Sequence, residues 1–226
     1  MSWNEIPSEE PNRKDLPHYN LESCLKKLEA KNFNFPEKVV SRLRELGGTG
    51  HDLHAFEMFA TAEELAKETE LPEEETKILL GASLAHDIGK TGPVGLAEEK
   101  RAMIINFFHH LKNIERKKVT EPVADLISGK NSGAEEFINE NNRADYYDLL
   151  RHPAVNYVGY GSLLEFFRLH IGWTHEVLKK ELPPNDKINS QITTVASLHH
   201  FAEGKNPAQF NLLEPENAST CARSWC

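Results

Sequence analysis

An apolar segment that ends in a histidine–aspartate pair restricts the fold of this chain more than any other part of its sequence. The segment "PEEETKILLGASLAHDIGK" (72–90) has helical spacing of its apolar residues, and His86 and Asp87 follow directly. Its apolar stripe consists of Ile78, Leu79, Ala82 and Ala85. Burying an imidazole and a carboxylate without partners costs several kcal/mol. We therefore expect nearby polar groups or a metal ion to satisfy this pair.

The same helical period recurs along the chain, without the strand–helix alternation of an α/β fold. Helices are predicted over 21–33, 35–48, 54–71, 72–90, 97–115, 134–151, 161–182 and 187–200. Gly172 is either tolerated inside one of them or marks a break. The sequence therefore predicts an all-α fold.

Composition limits the domain organisation and the class of partner. The 226 residues carry a formal net charge of -9, which disfavours nonspecific binding to the phosphate backbone of nucleic acids. The polar first 20 residues and residues 211–226 are predicted tails around one helical domain, 21–210. The N-terminus lacks the apolar core of a signal peptide, and no apolar run is long enough for a membrane span, so we expect a cytoplasmic protein. The cysteine pattern suggests no disulfide framework, so we expect free cysteines.

Histidines supply the candidate chemistry. Eleven are present, and His54 shares a predicted helix face with Met58, Ala62 and Leu65. The candidate ligands are His54, His86, Asp87, His175, His199 and His200. Imidazole and carboxylate suit iron, manganese, zinc and similar ions. Two histidine-containing dipeptides, at 86–87 and 199–200, indicate a pair of metals bridged by one carboxylate.

These motifs resemble the HD superfamily of metal-dependent phosphohydrolases, above all its HD-GYP branch of cyclic di-nucleotide phosphodiesterases. "HDIGK" (86–90) is similar to the second motif of that branch, and His54 stands 32 residues earlier, in a segment similar to its first-ligand helix. "HHFAEGKNP" (199–207) resembles a diverged "HHE-x-x-DG-x-GYP" signature. His175 precedes His199 by 24 residues, as the lone histidine of that branch does.

The resemblance implies an HD-domain helical bundle that binds two divalent metal ions, iron or manganese first, with zinc, magnesium, nickel and cobalt as alternatives. It implies that His54, His86 and Asp87 bind metal and that Asp87 bridges two ions. It also implies that the second ion is bound by His175, His199 and His200. It also places Lys90 at a substrate phosphate and Glu203 at the substrate. The implied activity is hydrolysis of a nucleotide or cyclic di-nucleotide by a metal-activated hydroxide, with Asp87 and Lys90 as catalytic residues.

The chain departs from that branch in three ways. His175 lies 85 positions after Lys90, which predicts a helical insertion over about 97–165 that covers the site. The GYP tripeptide is replaced by Lys205-Asn206-Pro207. No aspartate follows His200, so Glu203 or Glu214 substitutes for the last acidic ligand of the superfamily or that position is empty.

Alternatives remain open at two ligand positions and for the function. His152 competes with His175, and His51 with His54; spacing and helical phase favour His175 and His54. The histidine-rich set also permits a di-iron oxygenase of the HD type. The missing aspartate permits an inactive HD-fold domain that senses a ligand or binds a protein.

Overall fold

The fold is all-α, as the hydrophobic periodicity predicts. A computed structural model of the chain describes residues 19–47, 52–111, 141–155 and 162–199, together with Val123, Ile127 and Ile138. Its α-helices are α1 (Leu21–Glu29), α2 (Glu37–Gly47), α3 (Asp52–Glu68), α4 (Glu73–Ala85), α5 (Glu98–Leu111), α6 (Arg143–Arg151), α7 (Leu163–Glu181) and α8 (Lys187–Ser197). A short 3-10 helix, Ile88–Thr91, follows α4. The described residues contain no β-sheet.

Local sequence signals set several helix ends. Asn20 and Ser23 form a capping box at the start of α1, and Ser162 and Glu165 form another at the start of α7. Asp186 caps α8 by accepting hydrogen bonds from two backbone N–H groups. Each cap satisfies N–H groups that a helix start leaves unpaired.

One predicted helix start needs correction, and one predicted helix face is mostly outside the core. The predicted helix over 134–151 begins at Arg143, and Ile138 is not helical. The face of α3 shared by His54, Met58, Ala62 and Leu65 is not the buried one, because Ala62 alone of these is buried. The buried positions on α3 are Ala55, Phe59, Ala60, Ala62 and Ala66. The small alanines let α3 pack closely against its neighbours. His54 is exposed but adjoins the buried Ala55, so it lies at the edge of the packed face.

The first core lies among α1 to α4, the C-terminal half of α7, and α8. It is mainly aliphatic, with Leu28, Leu80 and Ile192 almost fully buried. At Gly81 on α4, an added Cβ would lie 2.8 Å from Ile192 Cδ1 of α8. The absence of a side chain at Gly81 thus sets how closely these two helices approach.

The second core lies among α5, α6 and the N-terminal half of α7, and includes Val123, Ile127 and Ile138. It is rich in aromatic rings: the Phe107 and Phe166 centroids lie 4.8 Å apart, in an edge-to-face arrangement that favours aromatic pairs. Its residues come from 96–173, a range that largely coincides with the predicted insertion, 97–165.

Helix α7 joins the two cores. Phe166, Leu169 and Trp173 belong to the second core, whereas Val177 and Leu178 belong to the first. The helix passes Gly172 without a break. The stretch between Leu169 and Val177 therefore lies where the two cores meet.

Candidate metal centre

The histidine–aspartate pair lies at the buried end of α4. Helix α4 is buried at nearly every position from Thr76 to Ala85, and the chain turns at His86 into the 3-10 helix. His86 is 4% exposed and Asp87 2% exposed. The partners that their burial requires come from α3, α7, the end of α8 and the 3-10 helix.

One group of possible metal ligands consists of His54, His86 and Asp87. One ligand atom from each lies within 4.8 Å of the others, and His86 Nε2 is 3.4 Å from Asp87 Oδ2. The ring centroids of His54 and His86 are 5.1 Å apart. His54 is exposed, whereas His86 and Asp87 are buried. We call these three residues the outer group, because one of its side chains reaches the surface.

A second group of possible metal ligands consists of Asp87, His170 and His199. Asp87 Oδ1 lies 3.6 Å from His170 Nε2 and 3.8 Å from His199 Nε2, and the two Nε2 atoms are 3.3 Å apart. His170 is fully buried and the His199 side chain is 7% exposed. We call this the inner group, because all three side chains are enclosed by the protein.

Backbone carbonyl groups orient three of these imidazole rings in the same way. His86 Nδ1 donates to the carbonyl of Ser83 at 2.8 Å, and His199 Nδ1 donates to that of Ala196 at 2.7 Å. His170 Nδ1 donates to the carbonyl of Phe167. A carbonyl can only accept, so each Nδ1 carries a proton and each neutral ring keeps its lone pair on Nε2.

The inner group suits a cation. With both Nδ1 atoms protonated, the Nε2 lone pairs of His170 and His199 face each other at 3.3 Å, which is unfavourable unless a positive charge lies between them. Ligand atoms bound tetrahedrally to one ion at metal–nitrogen distances of about 2.1 Å are about 3.4 Å apart. The measured separations of 3.3, 3.6 and 3.8 Å are close to that value.

Electrostatics keep the central carboxylate ionised. Burial alone raises the pKa of Asp87, but its electrostatic interactions with the neighbouring His86 and Lys90 outweigh burial and hold the pKa well below its ordinary value. Partial burial lowers the pKa of His54, and the nearby His86 lowers it further. Both shifts favour the forms that bind metal, an ionised carboxylate and a neutral imidazole.

Lys90 is the nearest cation to Asp87 among the described residues. Its ammonium lies 2.6 Å from Asp87 Oδ2, the oxygen on the side of the outer group, and its side chain is 9% exposed. The same ammonium lies 5.5 Å from the centroid of the Phe167 ring. Lys90 is thus held between a carboxylate and an aromatic face.

Thr174 fastens the turn after α4 to α7. Its hydroxyl accepts a hydrogen bond from the Gly89 N–H and donates one to the His86 carbonyl, both at 3.0 Å. An added Cβ at Gly89 would lie 2.0 Å from the His170 carbonyl oxygen, so a side chain there would push α7 away. This close approach brings Asp87 and His170 to the same site.

The structure brings four of the six predicted metal ligands together: His54, His86, Asp87 and His199. It also places Lys90 against Asp87. His200 and Glu203, like Glu214 and the alternative His51, lie outside the described residues. The ligand roles of all these residues remain predictions.

His170, not His175, completes the inner group, and we correct the candidate set accordingly. Five residues along a helix turn the side chain by about 140°, which carries His175 to another face of α7. There its Nδ1 is buried without a hydrogen-bond partner, and burial lowers its pKa. The other alternative, His152, accepts a hydrogen bond from the Ala154 N–H at the end of α6 and belongs to neither group.

A sequence signal for His170 was present but missed. Phe166, His170, Trp173 and Val177 are spaced by four, three and four residues, the pattern of one buried helix face. His175 is out of phase with that stripe. Helical phase therefore identifies the inward histidine better than the spacing to His199.

Comparison with known proteins adds no identification. Neither a family model, a curated protein nor a solved structure matches the chain. In the part of the chain that the structure describes, none of the helices is both long and apolar enough to cross a membrane.

Proposed function

We propose that this chain is a metal-dependent phosphohydrolase of the HD type, which acts on a small phosphorylated ligand such as a nucleotide or cyclic di-nucleotide. One observation carries the proposal: each oxygen of Asp87 faces a different set of histidines. Oδ2 lies 3.4 Å from His86, and Oδ1 lies 3.6 and 3.8 Å from His170 and His199. A carboxylate placed in this way suits a bridge between two ions.

The ligand chemistry supports a first-row transition metal. The two groups share one carboxylate and contain four imidazoles, His54, His86, His170 and His199. Imidazole suits iron, nickel, copper and zinc, whereas magnesium prefers oxygen ligands. The resemblance to the HD superfamily places iron or manganese first; the histidine-rich set favours iron of these two and makes magnesium the poorest candidate.

Each residue then has a definite part in hydrolysis. Two bound ions would supply a water of lowered pKa and an electrophilic clamp on the phosphoryl oxygens. Asp87 would hold one ion on each oxygen, and the fixed Nδ1 donors would aim the histidine Nε2 atoms at them. The Lys90 ammonium would stabilise negative charge that develops on the phosphate. The exposed His54 marks the outer group as the side from which an anionic substrate would enter.

Metal content per chain tests the proposal. We expect close to two ions per chain after purification with added iron or manganese, and a loss of both classes of site in Asp87→Asn. Asp145→Asn is the matched control, because Asp145 is an exposed aspartate on α6. Unchanged metal content in Asp87→Asn would contradict the bridge.

Turnover is then measured on a generic diester and a generic monoester, bis(4-nitrophenyl) phosphate and 4-nitrophenyl phosphate. Hydrolysis that requires added metal and is lost in Asp87→Asn is expected. Two bound ions without hydrolysis of these esters, or of nucleotides and cyclic di-nucleotides, would favour the inactive ligand-sensing alternative.

The ratio of four imidazoles to one carboxylate also favours a second candidate, a di-iron oxygenase of the HD type. Oxygen consumption by the ferrous protein in the presence of small organic phosphorus compounds would distinguish it. Hydrolysis in the absence of oxygen would exclude it as the main activity.

A further inference from the structure

The two oxygens of Asp87 are not equivalent in this structure. Oδ2 accepts a hydrogen bond from the Lys90 ammonium at 2.6 Å, and the same oxygen is 3.4 Å from His86 Nε2. The measured neighbours of Oδ1 are instead His170 and His199 of the inner group. A cation of the protein itself therefore already occupies the outer side of the carboxylate.

Local structure holds Lys90 in this place. Lys90 and Asp87 are three residues apart, and the Lys90 N–H donates to the Asp87 carbonyl at 2.9 Å within the 3-10 turn. The side chain is 9% exposed and its ammonium lies over the Phe167 ring. A buried ammonium needs a compensating charge, and Asp87 supplies it.

We propose that Lys90 competes with the outer metal ion for Asp87 Oδ2, so that the two ions bind in order and the second binding step exposes an anion site. This inference rests on the proposed function, since it assumes that both groups bind metal. The inner group binds first, because its three ligand atoms are close together and its carboxylate oxygen faces histidines. The outer ion binds second, because it must displace the Lys90 ammonium from Oδ2.

Displacement of Lys90 links metal binding to anion binding. While Lys90 is paired with Asp87 its charge is neutralised, and it attracts a phosphate weakly. If an ion bound Oδ2, the ammonium would lose its carboxylate partner, and a phosphate would then bind the ion and the ammonium together. By linkage, phosphate must strengthen the second metal-binding step by the factor by which the second ion strengthens phosphate binding.

A manganese titration tests the competition directly. Free Mn²⁺ is measured by electron paramagnetic resonance at equilibrium with the full-length protein, with and without inorganic phosphate. Two unequal classes of site are expected in the wild type. In Lys90→Met the second step should tighten roughly tenfold, within the usual range of coupling between sites. Phosphate should tighten the second step in the wild type and tighten it less in Lys90→Met, where the ion alone holds the phosphate.

Lys67→Met is the matched control. Lys67 forms an ion pair with Glu64 at the same three-residue separation, but on the exposed surface of α3. Lys67→Met removes one positive charge, as Lys90→Met does, so an effect of net charge alone would appear in both variants. Lys90→Gln repeats the test with a polar side chain, in case methionine impairs folding, which circular dichroism monitors.

The outcomes separate this inference from the proposed function. Two bound ions with the same second constant in the wild type and Lys90→Met, or an equal change in Lys67→Met, would overturn the competition and leave the metal centre standing. No Mn²⁺ binding by any folded variant would overturn both. Tightening confined to the Lys90 variants, with a weaker phosphate effect than in the wild type, is the result that supports the inference.

Discussion

The first and second cores differ in chemistry and in what they contribute to the candidate metal centre. The first is mainly aliphatic, and the helices that form it carry His54, His86 and Asp87 at their ends and edges, with His199 just after α8. The second is richer in aromatic rings and surrounds the half of α7 that carries His170. The inner group therefore needs both cores, whereas the outer group draws all its ligands from the first.

This difference explains why α7 is central to the site. His170 lies between the second-core residues Phe166 and Trp173, and its ring centroid is 5.1 Å from Phe167 and 6.0 Å from Phe108. Thr174, one turn later, is bonded to the end of α4. A change that separates the cores should therefore disturb the inner group first.

Gly89→Ala should have the largest effect, because it separates α7 from the turn after α4. The new Cβ would lie 2.0 Å from the His170 carbonyl oxygen and 2.5 Å from the Thr174 backbone nitrogen. Backbone atoms cannot move aside cheaply, so we expect a loss of more than about 4 kcal/mol in the free energy of unfolding, measured with urea.

Gly95→Ala is the control for that variant. Gly95 has a φ of +84° and nothing within 4 Å of an added Cβ, so backbone strain of about 1–2 kcal/mol is the expected cost. Equal losses in the two variants would mean that the close approach of α7 at Gly89 is not important for stability.

Phe108→Leu and Phe59→Leu compare the cores directly. Both rings are fully buried, and each change should cost about 1–3 kcal/mol of unfolding free energy. Phe108 lies beside His170, so its loss should also weaken metal binding about tenfold, as loss of support around a ligand does. Phe59 packs against Tyr19, and its variant should bind Mn²⁺ as the wild type does. Equal metal affinities in the two folded variants would show that the second core does not support the site.

Glu63→Gln should have the smallest effect, confined to the first core. Glu63 on α3 accepts hydrogen bonds from Tyr19 and, at 2.5 Å, from Lys27. Burial raises the pKa of Glu63, but the bond to Lys27 outweighs it, and the net pKa lies below its ordinary value of 4.5. The ionised form therefore stabilises the fold above that value, and this contribution is lost as the pH falls through the lowered pKa. We expect a difference from the wild type of about 1 kcal/mol at neutral pH, because the ion pair is only partly buried.

Urea unfolding at neutral pH and near pH 3 measures this difference, which should narrow in acid. Glu64→Gln, which removes an exposed pair with Lys67, should change stability little at either pH. Mn²⁺ binding should be unaltered in both variants. A difference for Glu63→Gln that grows in acid would contradict the assigned direction of the pKa shift.

Much of the fold follows from local sequence. The 3.6-residue period of apolar residues predicted the helices, and the acidic first turn of α4 and the polar caps of α1 and α8 fit their observed starts. The position of His86 and Asp87 directly after an apolar helix predicted their burial. Even the orientation of three histidine rings is local, because Nδ1 bonds to the carbonyl three residues earlier within the same helical turn. These features are set by residues within a few positions of one another, so they can be predicted from the sequence alone.

Tertiary structure decided which residues meet. The motif spacing favoured His175, but the packing of α7 between two cores turned His170 toward Asp87. Thr174 accepts a hydrogen bond from the Gly89 N–H and donates one to the His86 carbonyl, across 85 and 88 positions of the chain. The geometry of these hydrogen bonds depends on how closely α7 approaches the 3-10 helix after α4. The absence of a Cβ at Gly89 permits this close approach, but no local sequence pattern specifies it. The sequence thus determined the helices and most of the ligand types, whereas packing selected the ligand on α7, because helix rotation and distance are set by contacts between remote residues.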